Sequence, residues 1–320
     1  MAEKFFAPIS GICSFGGIPI HEDLDTLAST GADIAVLGVP NDLGTCWHNG
    51  SKFGPKRVRE SSMVFTPGID GCYDWERDEV YLGEDCKLVD CGDVTMVTGD
   101  LLENHKRTEE AVRKIVKSGA IPVIIGGDHA VTIPVAKAMD SYKNICAIQF
   151  DAHLDWSFAP GGQKYSHNSP MRRISEMEHF DRMVQIGIRG LGSSRKSDFD
   201  DARAYGSVLI SAKKANSMTP QEIAAMIPDA DYYYVTIDID GFDAGIAMAT
   251  GTPAPGGLTY DIVNDTLYEL CKKRGKVIGF DLVEVAPSCD SSEVTERTAA
   301  MLMVNFMGYI MKAKKEREGK

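Results

Sequence analysis

Three short stretches concentrate acids and imidazoles at regular spacing. They are Gly126-Gly127-Asp128-His129, Asp151-Ala152-His153-Leu154-Asp155, and Asp238-Ile239-Asp240, the last followed by Gly241-Phe242-Asp243. On extended backbone, alternate side chains point the same way. Asp151, His153 and Asp155 can therefore offer three donors to one side, and Asp238 and Asp240 two more. Four carboxylates brought together without a cation would repel and raise one another's pKa values. Bound cations remove that conflict, and the number of donors suits two divalent ions. The donors are oxygens and imidazoles with no cysteine among them. Such a set favours Mn²⁺ over a closed structural Zn²⁺ site, and also admits Ni²⁺, Co²⁺ and Fe²⁺. A bridged ion pair makes water nucleophilic near neutral pH and polarises a substrate, so metal-assisted hydrolysis is the leading reaction class. Each motif alone is weak: DxHxD also reads as surface polarity, DxD is common at strand ends, and paired glycines suit a turn. Their joint occurrence is what points to a site.

The elements that must position these residues are short apolar runs at 33–39, 87–90, 121–125, 145–150, 182–188, 207–210, 231–239 and 276–281. Helical patterns lie between them. Over 103–118, Leu102, Val112, Ile115 and Val116 can share a face; Thr259 can cap a helix over 260–274; and 291–313 closes the chain. Strand and helix alternating this often imply βαβ units and a mostly parallel sheet. An open sheet and a TIM barrel both satisfy this pattern, and in both functional groups collect at the carboxyl ends of strands. The acidic motifs follow 121–125 and 145–150 and end 231–239, which is where that rule puts them. The stretch 41–86, dense in Gly, Asp and aromatics, reads as the longest weakly structured region and as a wall beside the sheet.

The 320 residues carry a net charge of −12, with 43% hydrophobic and 25% charged residues, which is a globular composition. The acidic balance excludes a nucleic-acid backbone as partner and disfavours anionic membranes. No apolar run approaches the ~20 residues of a spanning helix, and MAEKFFAPISGICS does not read as a secretory signal. The expectation is a soluble cytoplasmic chain of one domain, 1–320, with an N-terminal extension over 1–32 and a charged, solvated tail, KAKKEREGK, over 312–320. The eight cysteines, at 13, 46, 72, 86, 91, 146, 271 and 289, include no CxxC pair and read as reduced thiols.

GGDHAVT (126–132), DAHLDW (151–156), IDIDGFD (237–243) and DLVEVAP (281–287) together resemble the signature set of the ureohydrolase (arginase/agmatinase) family. The segments GVPNDLGT (38–45), GSKFGPKRVRESS (50–62) and GTPAPGG (251–257) resemble its agmatinase branch, and the likeness runs from about residue 33 to 310. It implies a three-layer α/β/α sandwich with an eight-stranded, mostly parallel sheet rather than a barrel. It also implies a binuclear manganese centre, with Ni²⁺ the alternative, urea as a product, and a homo-oligomer of three or six subunits.

By this resemblance one ion is held by His129, Asp151, Asp155 and Asp238, and the other by Asp151, His153, Asp238 and Asp240. A bridging hydroxide would attack the guanidinium carbon, and Asp155 would carry its proton to the leaving amine. Glu284 would grip the guanidinium through two parallel charge-assisted hydrogen bonds. His167, in YSHNSPMRR, would relay protons. Asn168 stands where the family usually has Gly, and with Trp47 and His48 it is a candidate contact for the substrate. The stretch Asp243–Pro253 lacks two prolines and a glycine of the family pattern and gains Met248 and Ala249, which predicts a differently shaped loop. The function expected is an amidinohydrolase that cleaves a guanidino compound to urea and an amine. Agmatine is the first choice of substrate; 4-guanidinobutyrate, guanidine and a substituted biguanide are the alternatives. A catalytically silent partner subunit or a dimetal phosphoesterase are the competing classes. The first is disfavoured by six complete donors, the second by the want of a GNHE-like segment.

Overall fold

The computed structural model describes residues 11–67, 70–192 and 194–319. Eight strands form one sheet: β1 (Ile34–Gly38), β2 (Leu88–Asp93), β3 (Ile121–Ile125), β4 (Ile145–Phe150), β5 (Phe180–Ile188), β6 (Val208–Ser211), β7 (Tyr232–Asp238) and β8 (Lys276–Val283). Their spatial order is β2-β1-β3-β8-β7-β4-β5-β6, and every neighbouring pair is parallel. Each strand predicted from the apolar runs is present. β8 runs two residues further than expected, so that Val283 pairs with Asp238 and Asp281 lies inside the sheet.

Alternation along the strands sends side chains to two separate cores. Ile34, Val36, Val123, Ile148, Val235 and Phe280 pack with helices Gly54–Ser62, Tyr260–Cys271 and Val294–Glu318. Ala35, Leu37, Ile124, Ala147, Met183 and Tyr234 pack with helices Leu101–Ser118, Thr132–Lys137 and Pro170–Ile174. Two apolar faces covered by helices make the three-layer α/β/α sandwich, and explain why the strands read as continuous apolar runs rather than half-polar ones. Among the described residues no helix is long and apolar enough to cross a membrane.

Some local readings hold and others shift. Thr259 caps its helix by accepting from the Ile262 amide. In helix Leu101–Ser118, Leu102 is 60% exposed, and Leu101 joins Val112 and Ile115 on the buried face instead. The stretch 41–86 is more ordered than expected: it contains helix Gly54–Ser62 and a hairpin of Cys72–Asp74 with Glu79–Tyr81. The solvated tail is also corrected. The last helix runs to Glu318, with Lys312 pairing with Glu79, Lys314 with Asp33 at 2.6 Å and Lys315 with Asp85 at 2.5 Å. Its charges meet carboxylates of other segments, so the helix does not end where the apolar pattern fades. Of the proposed extension, residues 1–10 lie outside the described residues, while Phe15 and Leu27 are buried in the two cores. All eight cysteines are free thiols, and Cys91, Cys146 and Cys271 are buried.

Candidate metal centre

The motif residues meet at the carboxyl ends of β3, β8, β7 and β4, four consecutive strands of the sheet. His129 opens a short turn after β3, capped by Asp128, whose side chain accepts from the Ala130 amide. Asp151, His153 and Asp155 leave the end of β4, and Asp238 ends β7. Close approach is possible because of small residues. A Cβ on Gly127 would lie 1.9 Å from the Asn41 carbonyl oxygen, and one on Gly241 2.8 Å from the Asp151 amide nitrogen. Asp155 and Glu284 hold left-handed backbone, at φ 51° and 65°, a conformation concentrated at functional sites.

Two donor groups form. His129, Asp151 and Asp238 can each bring a ligand atom to one point, and Asp151, His153 and Asp240 to a second, so Asp151 is common to both. Asp155 is outside both groups, although its Oδ2 lies 2.8 Å from His129 Nδ1. Asp238 falls in the first group alone, so the bridging role that the resemblance gives it is not visible in the donor positions. The Asp240 carboxylate lies 3.0 Å from His153 Nδ1 and accepts from Thr252 Oγ1 at 2.9 Å.

The residues behind the donors decide how they face. Asp281, Thr236, Gln149 and Gln185 are register partners on β8, β7, β4 and β5 and are fully buried. Thr236 Oγ1 donates to Asp281 at 2.6 Å and therefore accepts from His129 Nε2 at 2.9 Å. This chain puts the proton of His129 on Nε2 and leaves the Nδ1 lone pair bare. That nitrogen is buried without a hydrogen-bond partner, facing Asp151, Asp155 and Asp238 at 3.1, 2.8 and 3.2 Å. A lone pair aimed at three carboxylates is a repulsive arrangement that a divalent cation converts into a ligand set. The carboxylates themselves say the same. Burial and the neighbouring Asp151 charge push Asp155 up to about 6. Burial with Asp240 and Asp151 pushes Asp238 well above the usual range. The donor set thus fits divalent metal.

Glu284 is 2% exposed and differs from expectation in one respect. Its Oε1 already accepts from the His129 amide at 2.9 Å and from His167 Nδ1 at 3.0 Å, so Oε2 is the oxygen open to a ligand. Two parallel bonds from Glu284 to a substrate would require displacing one of those donors. His167 is buried beside it. Burial alone would lower its pKa, but the hydrogen bond and charge of Glu284 carry it up to about 11. Trp47 and His48 sit at the rim with exposed side chains in edge-to-face contact, ring centroids 5.1 Å apart. The His48 carbonyl oxygen lies 2.7 Å from where a Gly251 Cβ would be, a point 4.0 Å from Glu284 Oε2, so the His48 backbone belongs to the inner wall. Asn168 Nδ2 is 3.4 Å from Cys46 Sγ. Sequence reasoning missed Cys46, Thr236, Asp281 and Gln149. For the last three a signal existed, polar residues at inward positions of otherwise apolar strands; for Cys46 there was none.

The arginase family model matches residues 32–308. The chain is 34% identical over 277 residues to an agmatinase of Bacillus subtilis, covering 85% of this chain and 90% of that protein. It is 30% identical over 323 residues to a guanidinobutyrase of Pseudomonas aeruginosa, covering 96% and 97%. The structure of the proclavaminate amidinohydrolase of Streptomyces clavuligerus superposes with a TM-score of 0.81 at 28% identity, covering 96% of this chain and 99% of that one.

Proposed function

The chain belongs to the arginase family, and we propose that it hydrolyses a guanidino compound to urea and an amine, with agmatine the first substrate to test. The observation that carries this reading is the free Oε2 of a buried glutamate beside two donor groups that share Asp151. His129, Asp151, Asp155 and Asp238 would hold one divalent ion and Asp151, His153, Asp238 and Asp240 the other, with Mn²⁺ preferred and Ni²⁺ the alternative. When bound, the pair would lower the pKa of water toward neutrality and polarise the substrate. Glu284 Oε2 accepts an N–H of the guanidinium and turns its carbon toward the aspartates, while His167 and the His129 amide hold Oε1 and keep the carboxylate from rotating. Asp155 moves a proton from the nucleophile to the leaving amine, and His167 relays protons between the mouth and Glu284. Trp47, His48 and Asn168 meet the tail of the substrate. Agmatinase and guanidinobutyrase relatives match at similar identity, so 4-guanidinobutyrate, guanidine and a biguanide stay in the panel. Assembly as a trimer or hexamer is part of the same proposal. The test is urea release by manganese-loaded protein across cationic, anionic and tail-less guanidines; urea from none of them defeats the reading.

A further inference from the structure

Cys46 stands on the loop between β1 and helix Gly54–Ser62 and is exposed. Its Sγ is 3.1 Å from His167 Nε2 and 3.4 Å from Asn168 Nδ2. His167 Nδ1 is in turn 3.0 Å from Glu284 Oε1. Carboxylate, imidazole and thiol therefore form one hydrogen-bonded line from the buried floor of the site to its mouth. The Cys46 amide donates to the same His167 Nε2 at 3.2 Å, so that nitrogen carries a lone pair while Nδ1–H faces Glu284; the imidazole is a base placed to take the thiol proton and leave the thiolate, the nucleophilic form of cysteine. Burial raises the Cys46 pKa, but the hydrogen bonds of His167 and Asn168 and the His167 charge bring it below the ordinary value. The other charged groups against this loop have donors of their own. Asp128 takes the Gly44 amide at 2.6 Å and the Thr45 hydroxyl, and Asp42 takes the Gly50 amide at 3.0 Å and the Lys52 ammonium. The exposed thiol Cys13 provides the contrast, since burial and the charge of Glu60 hold it above the ordinary value.

We propose that Cys46 is a modification site for low-molecular-weight disulfides and soft electrophiles, and that its adduct closes the metal centre. In the exchange the Cys46 thiolate attacks one sulfur of RS–SR. The S–S bond of the reagent breaks, a Cys46–S–S–R bond forms, and RS⁻ leaves and takes a proton from solvent. Cys46 and the sulfur it joins end as a disulfide, the departing thiolate is the reduced product, and excess thiol reverses the step. The adduct removes the negative sulfur from His167 and places R over the only free oxygen of Glu284. This last consequence rests on the ureohydrolase reading; the reactivity of the thiol does not.

The experiment exposes manganese-loaded protein to oxidised glutathione, or to iodoacetamide, at about pH 6–7, and follows Cys13, Cys46 and Cys289 by peptide mass spectrometry. Cys46 is expected to react roughly tenfold faster than the other two, because a lowered pKa multiplies the thiolate fraction. In His167→Gln that advantage should disappear, and in Glu284→Gln it should shrink. Equal rates at the three cysteines of the wild-type protein, a comparison that needs no variant to fold, would overturn the proposal. So would an unchanged Cys46 rate in His167→Gln. After oxidised glutathione, urea release should fall in step with Cys46 occupancy, recover with dithiothreitol, and become insensitive to the disulfide in Cys46→Ser, whereas the iodoacetamide thioether should not be reversed. Selective labelling in a protein that hydrolyses no guanidine would leave the thiol site standing and remove the ureohydrolase reading instead.

Discussion

Buried aspartates in two regions of this molecule are treated in opposite ways. Asp90, at 1% exposure, lies within β2 facing Arg59, whose Nε and Nη2 donate to its two oxygens at 2.8 and 2.9 Å, while Nη1 reaches Asp93 at 2.6 Å. That pair is neutralised within the chain by a fork-on-fork contact. Asp151, Asp155, Asp238 and Asp240 are as deeply buried, but no arginine or lysine pairs with them among the described ion pairs; their nearest charged-type partners are His129 and His153. One group is completed by an arginine of the fold, and the other is faced only by imidazoles. A cluster held in that state is preorganised for an external cation, and its cost appears as carboxyl pKa values pushed upward.

The comparison can be broken in order of expected effect. Chelation followed by dialysis should abolish urea release, with recovery on adding Mn²⁺ or Ni²⁺, while the metal-free chain keeps its circular-dichroism spectrum. Full turnover without metal would remove the distinction between the clusters. Asp155→Asn changes both a donor and the proton carrier, and kcat should drop by roughly 10²–10⁴-fold; near-normal kcat would contradict its role. Arg59→Ala strands a buried carboxylate and should cost about 3–5 kcal/mol in denaturant unfolding. It should leave the number of bound metal ions unchanged, since that pair serves the fold.

Smaller effects sharpen the picture. Thr236→Val removes the acceptor of His129 Nε2–H, and Mn²⁺ affinity measured by titration should weaken about 10–100-fold. Thr236→Ser should restore it, whereas a purely steric role would make serine as poor as valine. The pH dependence should differ between metal-free and loaded protein. Asp155 is raised to about 6, Asp128 to about 7 by burial and the Glu284 charge, and Asp238 also upward. Above pH of about 4 the unfolded chain has released protons that these folded carboxyls still hold. Metal-free stability should therefore fall as pH rises from about 4 toward 7, and the Tm gained on adding Mn²⁺ should be larger at the upper end. A gain that is flat over this window would mean that the cluster is not strained by its own charge.

Much of this is legible in the sequence alone. Eight strands follow from eight apolar runs, and the candidate donors His129, Asp151, His153, Asp238 and Asp240 from motifs at their ends, because alternation and strand-end position are local properties. Other features were hidden for the opposite reason. The last helix continues through Lys312, Lys314 and Lys315 because of Glu79, Asp33 and Asp85, residues more than two hundred positions away. Leu101 rather than Leu102 faces the core because tertiary packing fixes the rotation of the helix, which the pattern alone left ambiguous.

The sequence by itself determined the kinds of donor, their spacing, the alternation of strand and helix, and the likeness to one enzyme family. Only the tertiary structure decided that β8, the last strand in the chain, lies between β3 and β7 and carries Glu284 to the metal cluster. It alone set Thr236 behind His129 and Cys46 against His167. The reason is physical: spacing along a chain constrains neighbours within a few residues, whereas contacts over long separations depend on which surfaces bury each other, and no local pattern records that choice.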